Sequence, residues 1–169
     1  MTLRLILTRH AKSSWDDPEL SDHARTLNKR GKRAAEAVGG WLAEKGYLPD
    51  LVLSSDAIRT QETWERMKGH LPPPGRIEWT PALYLAGPGA ILKALRGAKG
   101  ARNVLLLAHN PGISQFASAI VAIPPQHKRF HDYPTCATLV ADFDADGWNE
   151  LAPGMGSVVD FTAPADLEG

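Results

Sequence analysis

The chain has 169 residues, enough for one ordinary domain with a substantial core. Its 19 lysines and arginines balance 19 aspartates and glutamates, so nothing global favours nucleic acid, an anionic membrane or a polyacidic partner, and any anion site must be local. Cys136 is the only cysteine, which excludes an intrachain disulfide, argues against a cysteine metal cluster and fits a reducing compartment.

In chain order, Leu3 to Thr8 reads as a buried strand, short, apolar and ended by polar residues. Arg4 interrupts its apolar run, so no secretory signal is expected, and no run approaches the ~18 apolar residues that span a bilayer. Lys12 to Leu27 is polar and turn-rich. Lys29 to Lys45 has Ala34, Val38, Trp41 and Leu42 at helical spacing, with Gly46 as its stop. Asp50 to Ser54 is the next strand, and Ser55 or Asp56 is expected to cap a helix running to about Lys68. Leu71 to Gly75 breaks the chain with three prolines. Ile77 to Thr80 fits a short strand, and Pro88 to Arg96 a helix closed by Gly97. Asn103 to Ala108 is continuous and apolar, as a central parallel strand should be. Pro111 to Ala122 is helical, Pro124 to Pro134 a polar loop, and Thr138 to Phe143 and Ser157 to Phe161 are strands, the first followed by a turn at Asp144 to Gly147. No internal repeat occurs. This alternation predicts a single α/β domain over residues 1–169, with a mostly parallel central sheet covered by helices on both faces. Ligands of such sheets bind beyond the carboxyl ends of the strands.

Three strands end in residues suited to a phosphate. Arg9-His10 follows the first, Ser55 to Arg59 the second, and His109-Asn110-Pro111-Gly112 the strand at Asn103 to Ala108. A neutral imidazole at His10 can attack phosphorus with one ring lone pair, and guanidinium groups at Arg9 and Arg59 can hold phosphate oxygens through a planar fork. Neighbouring arginines also disfavour protonation of His10. Arg59, at the start of a helix, gains from a bound anion, to which the same helix end offers N–H groups. A protonated His109 would neutralise charge on the transferring phosphoryl group. Ser13 is a further candidate phosphate donor, although Ser13-Ser14 equally fits a solvated turn. Asp22 is a candidate general acid or a partner behind the site; most aspartates in such loops are solvated or capping.

Taken together, Arg9-His10-Ala11, Ser54 to Thr63 and Ala108 to Pro111 resemble the motifs of the histidine phosphatase superfamily, the phosphoglycerate-mutase-like "RHG" proteins. Asp22 to Leu27, followed by Gly31, is similar to its short SixA-type branch of phosphohistidine phosphatases. The resemblance spans residues 3 to 161. It implies the histidine-phosphatase fold without a large lid insertion, His10 as phosphoacceptor, a phosphate pocket completed by Arg9, Arg59 and His109, and no metal or organic cofactor. Two features depart from the pattern. Ala11 stands for the usual glycine. The stretch Pro81 to Leu85 holds no carboxylate, where mutases and many phosphomonoesterases of the superfamily carry an acidic glutamate.

The resulting expectation is a cytoplasmic, monomeric, metal-independent phosphatase that hydrolyses phosphohistidine on a protein. Two alternatives are a small-molecule phosphomonoesterase with the same nucleophile and a non-catalytic phosphoprotein-binding module. A histidine-phosphorylated protein or a small phosphorylated compound is the expected partner, with no role for nucleic acid or membrane. Lys128, Arg129 and His131 are expected either to face an acidic partner or to form a solvated basic loop.

Overall fold

A computed structural model describes residues 1–168. Its six-stranded sheet comprises β1 (Thr2–Arg9), β2 (Leu51–Ser55), β3 (Arg76–Thr80), β4 (Asn103–Ala108), β5 (Thr138–Asp144) and β6 (Ser157–Thr162). The spatial order is β3-β2-β4-β1-β5-β6. The first four strands in that order run parallel, and β5 and β6 add antiparallel pairings beside β1. Successive side chains of a strand point to opposite faces, so each apolar strand feeds two cores. Leu5, Leu7, Val104 and Leu106 pack with Ile91 and Leu95 of α3 (Pro88–Arg96) and with Ile113 and Phe116 of α4 (Gly112–Ile120). Ile6, Leu105 and Leu107 pack with Val38 and Leu42 of α1 (Lys29–Lys45) and with Trp64 and Met67 of α2 (Ile58–Met67). A one-turn helix, α5 (Pro164–Leu167), lies on the α1 side.

α1 ends on Gly46, whose φ of 74° only glycine adopts without strain. α2 departs from expectation at its start. Its N-cap is Ala57, with no side-chain cap, because Ser55 and Asp56 are engaged elsewhere. The segment Pro124 to Pro134 also departs from the polar loop expected. Phe130 and Tyr133 are fully buried in it. Tyr133 inserts its hydroxyl between the first strand and the fifth, donating to the Leu7 carbonyl and accepting from the Leu139 amide. Residue Gly169, the end of the expected domain, lies outside the described residues.

Candidate active site

β1 delivers His10 to the carboxyl edge of the sheet between two neighbours. The His10 amide donates to the Ala108 carbonyl at the end of β4, and its carbonyl accepts from the Cys136 amide ahead of β5. The next amide, of Ala11, donates to Thr63 Oγ1 at 2.9 Å, and that hydroxyl donates to the Arg59 carbonyl one turn earlier in α2. The nucleophile candidate and the second arginine are therefore hung from one threonine. Ala11 is fully buried against the α1–α2 core and has no positive φ. Its methyl replaces a glycine hydrogen without strain.

The imidazole of His10 is oriented by the carbonyl of the next residue. Nδ1 lies 2.7 Å from the Ala11 carbonyl, and Arg59 Nε approaches Nε2 at 3.4 Å. A guanidinium nitrogen can only donate, so Nε2 carries the lone pair and Nδ1 the proton. Burial pulls the His10 pKa down to about 3, helped by His109, Arg59 and Arg9 and opposed by the Ala11 carbonyl. His10 is thus a neutral base across ordinary pH, with its free nitrogen toward Arg59.

His109 follows β4, its ring centroid 5.2 Å from that of His10. Arg59 Nη2 donates to its Nδ1 at 3.2 Å, and its Nε2–H donates to Ser55 Oγ at 2.8 Å. Burial, and then Arg59, lower its pKa to about 3. The protonated form considered for phosphoryl transfer is therefore not the one that the free pocket favours. In this buried position beside a guanidinium the neutral ring is favoured, and a bound anion would favour the protonated one.

Arg9 and Arg59 complete the cluster. Arg59 is 2% exposed despite its charge. Its Nη1 donates to the Asp22 carbonyl at 2.7 Å and its Nη2 to Asp22 Oδ2 at 3.1 Å. Arg9 Nη1 donates to the Tyr133 carbonyl at 3.1 Å, while its buried Nε has no partner. Burial and Arg59 both lower the Arg9 pKa; the guanidinium stays charged at any ordinary pH. A buried and a half-buried like charge, with an unsatisfied donor, are costly. A phosphate between them offsets both terms.

Asp22 and Ser13 also line this pocket, which has a volume of about 340 Å³. Asp22 accepts from Arg25 and Arg59 and from the Tyr84 hydroxyl. The Tyr84 hydrogen bond leads in holding its carboxyl at about 2, with the arginines adding to it against desolvation. An acid so strong is ionised and has no proton to give at neutral pH. Its geometry fits the second expectation, a partner that positions Arg59. The Ser13 hydroxyl accepts from Arg25, so it is held by a side chain of its own loop. The expected N–H groups at the start of α2 are partly committed: the Ile58 amide donates to the His23 carbonyl, because the loop from Lys12 to Leu27 folds over that helix end.

Several participants escaped the sequence reading. Arg25 sits three residues from Asp22, a spacing that could have flagged the pair. Tyr84 lies in the stretch noted only for lacking a carboxylate. Ser55 was assigned to a cap. The Tyr133 carbonyl, which also accepts from Asn110 Nδ2, carries no residue-type signal at all. Trp15 and Leu85, 75% and 56% exposed, border the pocket. Among the described residues no group of three or more His, Cys, Asp or Glu side chains is placed to hold a metal ion. No described helix is long and apolar enough to cross a membrane.

The family model of the histidine phosphatase superfamily (branch 1) matches residues 5–83, which contain Arg9, His10, Asp22 and Arg59. An uncharacterized chloroplastic protein of Arabidopsis thaliana is 31% identical, covering 95% of this chain and 78% of its own. The chain belongs to the histidine phosphatase superfamily. Among solved structures, two proteins provisionally assigned as phosphohistidine phosphatase SixA share the fold. The one from Agrobacterium tumefaciens has a TM-score of 0.80 and 27% identity, covering 96% of this chain and 98% of its own. The one from Nakamurella multipartitia has a TM-score of 0.79 and 26% identity, covering 97% of each. In this histidine phosphatase, the strand-end cluster lies on a scaffold of nearly the same extent as those two SixA-assigned structures.

Proposed function

We propose that this chain hydrolyses phosphohistidine on a protein through a covalent phospho-His10 intermediate, without a metal. The observation that carries the proposal is the state of His10: a neutral ring, its Nδ1 tied to the Ala11 carbonyl, its Nε2 lone pair in the space bounded by Arg59, Arg9 and His109. Nε2 attacks phosphorus while the phosphorus–nitrogen bond of the substrate breaks. The departing imidazole, protonated on its other nitrogen, leaves as a neutral ring. Water then attacks the phosphorus of phospho-His10, the bond to Nε2 breaks, and orthophosphate leaves. Arg9 and Arg59 stabilise the equatorial oxygens in both transfers. His109, protonated from solvent once the bound anion favours its imidazolium, adds a third charge and supplies part of what a metal supplies elsewhere.

The leaving group decides between substrates. An alkoxide needs a proton donor, and an imidazole that takes its proton from solvent does not. Asp22 is ionised, and residues 81–85 contain no carboxylate. Both features favour the phosphoramidate bond. The two SixA-assigned structures support a protein-borne substrate by kinship.

The test is a rapid quench with labelled phosphohistidine protein, phosphoramidate and common phosphate esters, with chelator present throughout. Acid-labile, base-stable label on His10 and faster turnover of the phosphoramidates are expected. Full turnover by His10→Ala would remove the nucleophile. A clear preference for esters would favour the phosphomonoesterase reading. Loss of activity to chelator, restored by one divalent ion, would overturn metal independence.

A further inference from the structure

A second concavity, of about 550 Å³, adjoins the phosphate pocket and shares Lys12 and Thr135 with it. One wall is a stripe of α1: Arg30, Arg33, Ala34 and Ala37. Their spacing places them on a single helical face. The opposite wall comes from Ala163, Pro164, Ala165, Leu167 and Glu168 and from Pro134, Thr135 and Arg129. Among the described residues the lining carries four cations, Lys12, Arg30, Arg33 and Arg129, against one carboxylate, Glu168. Arg129 is paired with Asp132. Lys12, Arg30 and Arg33 make no ion pair among the described residues. The floor between the charges is alanine, proline and leucine.

The charge placement is unfavourable for the isolated chain. The first turn of α1 contains no acid, while Lys29, Arg30, Lys32 and Arg33 crowd its positive end. The helix dipole disfavours cations there, and like charges at this spacing repel. An external anion offsets both effects. The net charge of the chain is zero, so this is a local concentration of positive charge and not a property of the whole surface.

We infer that this groove receives an acidic segment of the protein substrate, next to the phosphorylated side chain. The inference rests on the proposed function and deepens it. A side chain that fills the phosphate pocket brings its own backbone to the Lys12–Thr135 boundary, and the groove continues from there. Carboxylates meet Arg30 and Arg33, and aliphatic side chains meet the alanine and leucine floor. Of the loop residues expected to meet a partner, only Arg129 lines the groove. Lys128 and His131 do not.

Two synthetic peptides, each with one histidine phosphorylated, test this. One has Asp and Glu around the histidine, the other Gln and Asn. The wild-type protein should turn over the acidic peptide with kcat/KM about tenfold higher, with the advantage shrinking as salt rises. Arg30→Ala/Arg33→Ala should erase that advantage and leave phosphoramidate turnover unchanged, with circular dichroism reporting an intact fold. A separate binding arm uses a fluorescent, unphosphorylated acidic peptide. Its affinity should fall in the double variant. If it does so while no phosphohistidine substrate is turned over, the groove stands and the catalytic proposal falls. Equal turnover of the two peptides by the wild type, or equal binding by wild type and variant, overturns the groove. So does binding of pyrophosphate that depends on both arginines when the peptide does not bind, which would assign the groove to a small second anion.

Discussion

Asp22 bonds Arg59 twice, once through its carbonyl and once through its carboxylate, while Arg25 and Tyr84 hold the same carboxylate from other sides. Its value to the site is thus the direction in which Arg59 points. Asp22→Asn removes a charge from that arrangement and keeps its shape. A hydrogen bond to a charged group is worth about 1.5–3 kcal/mol, so kcat/KM should fall by about tenfold to a hundredfold. The size of the loss across leaving groups separates two roles. A positioning residue costs the same for phosphoramidate, a nitrophenyl ester and an alkyl ester. A loss that grows with the basicity of the leaving group would make Asp22 the acid after all. Arg25 also lies over the exposed Trp15 ring, 3.6 Å from its centroid, so the loop carrying both aspartate and arginine is pinned at the mouth of the pocket.

At the scale of elements, the site depends on a close approach between α4 and the turn before α3. A side chain on Gly112 would overlap the Ala86 carbonyl oxygen. That turn carries Tyr84 and Leu85, the latter at a φ of 50°. Gly112→Ala should therefore cost about 1–3 kcal/mol, as overpacking does, and should lower kcat/KM as well, because Tyr84 is carried away from Asp22. Urea unfolding and steady-state kinetics on one preparation check both effects; a variant matching the wild type in each would show that the turn yields freely. The elements themselves were largely legible. Apolar runs and helical spacing marked β1, α1, α3 and β4 to within a residue or two, since burial on a sheet face or helix stripe leaves a periodic trace. What stayed hidden follows from long-range choices. Ser55 looks like a helix cap until β4 brings His109 to it. Phe130 and Tyr133 sit in a run counted as polar, and only the tertiary fold turns them inward. The antiparallel direction of β5 and β6 is not written in composition. The four principal candidate residues stand in strand-end motifs, whereas the groups that contact them are mostly backbone carbonyls and distant side chains.

For the molecule as a whole, the two pocket histidines tie stability to acidity. Each is held near a pKa of about 3 when folded, against an ordinary value of 6.5. The unfolded chain takes up a proton at each as pH falls through 6.5, and the folded chain does not until far lower. Their full contribution is therefore present above pH 6.5 and is lost progressively toward pH 3. At pH 5 the loss is about 2 kcal/mol per histidine. Unfolding free energies at pH 7.5 and 5.0 should differ more for the wild type than for a His10→Asn/His109→Asn protein; equal differences would mean that these rings titrate normally. Arg9 has another consequence. Its buried Nε finds no partner among the described residues, so the fold carries a donor that a bound phosphate oxygen would satisfy. In a lineage released from the need for catalysis, an apolar residue of similar length at position 9 would raise stability at once. Such a lineage would shed Arg9 early, so loss of the arginine would mark the descendants that had stopped being enzymes.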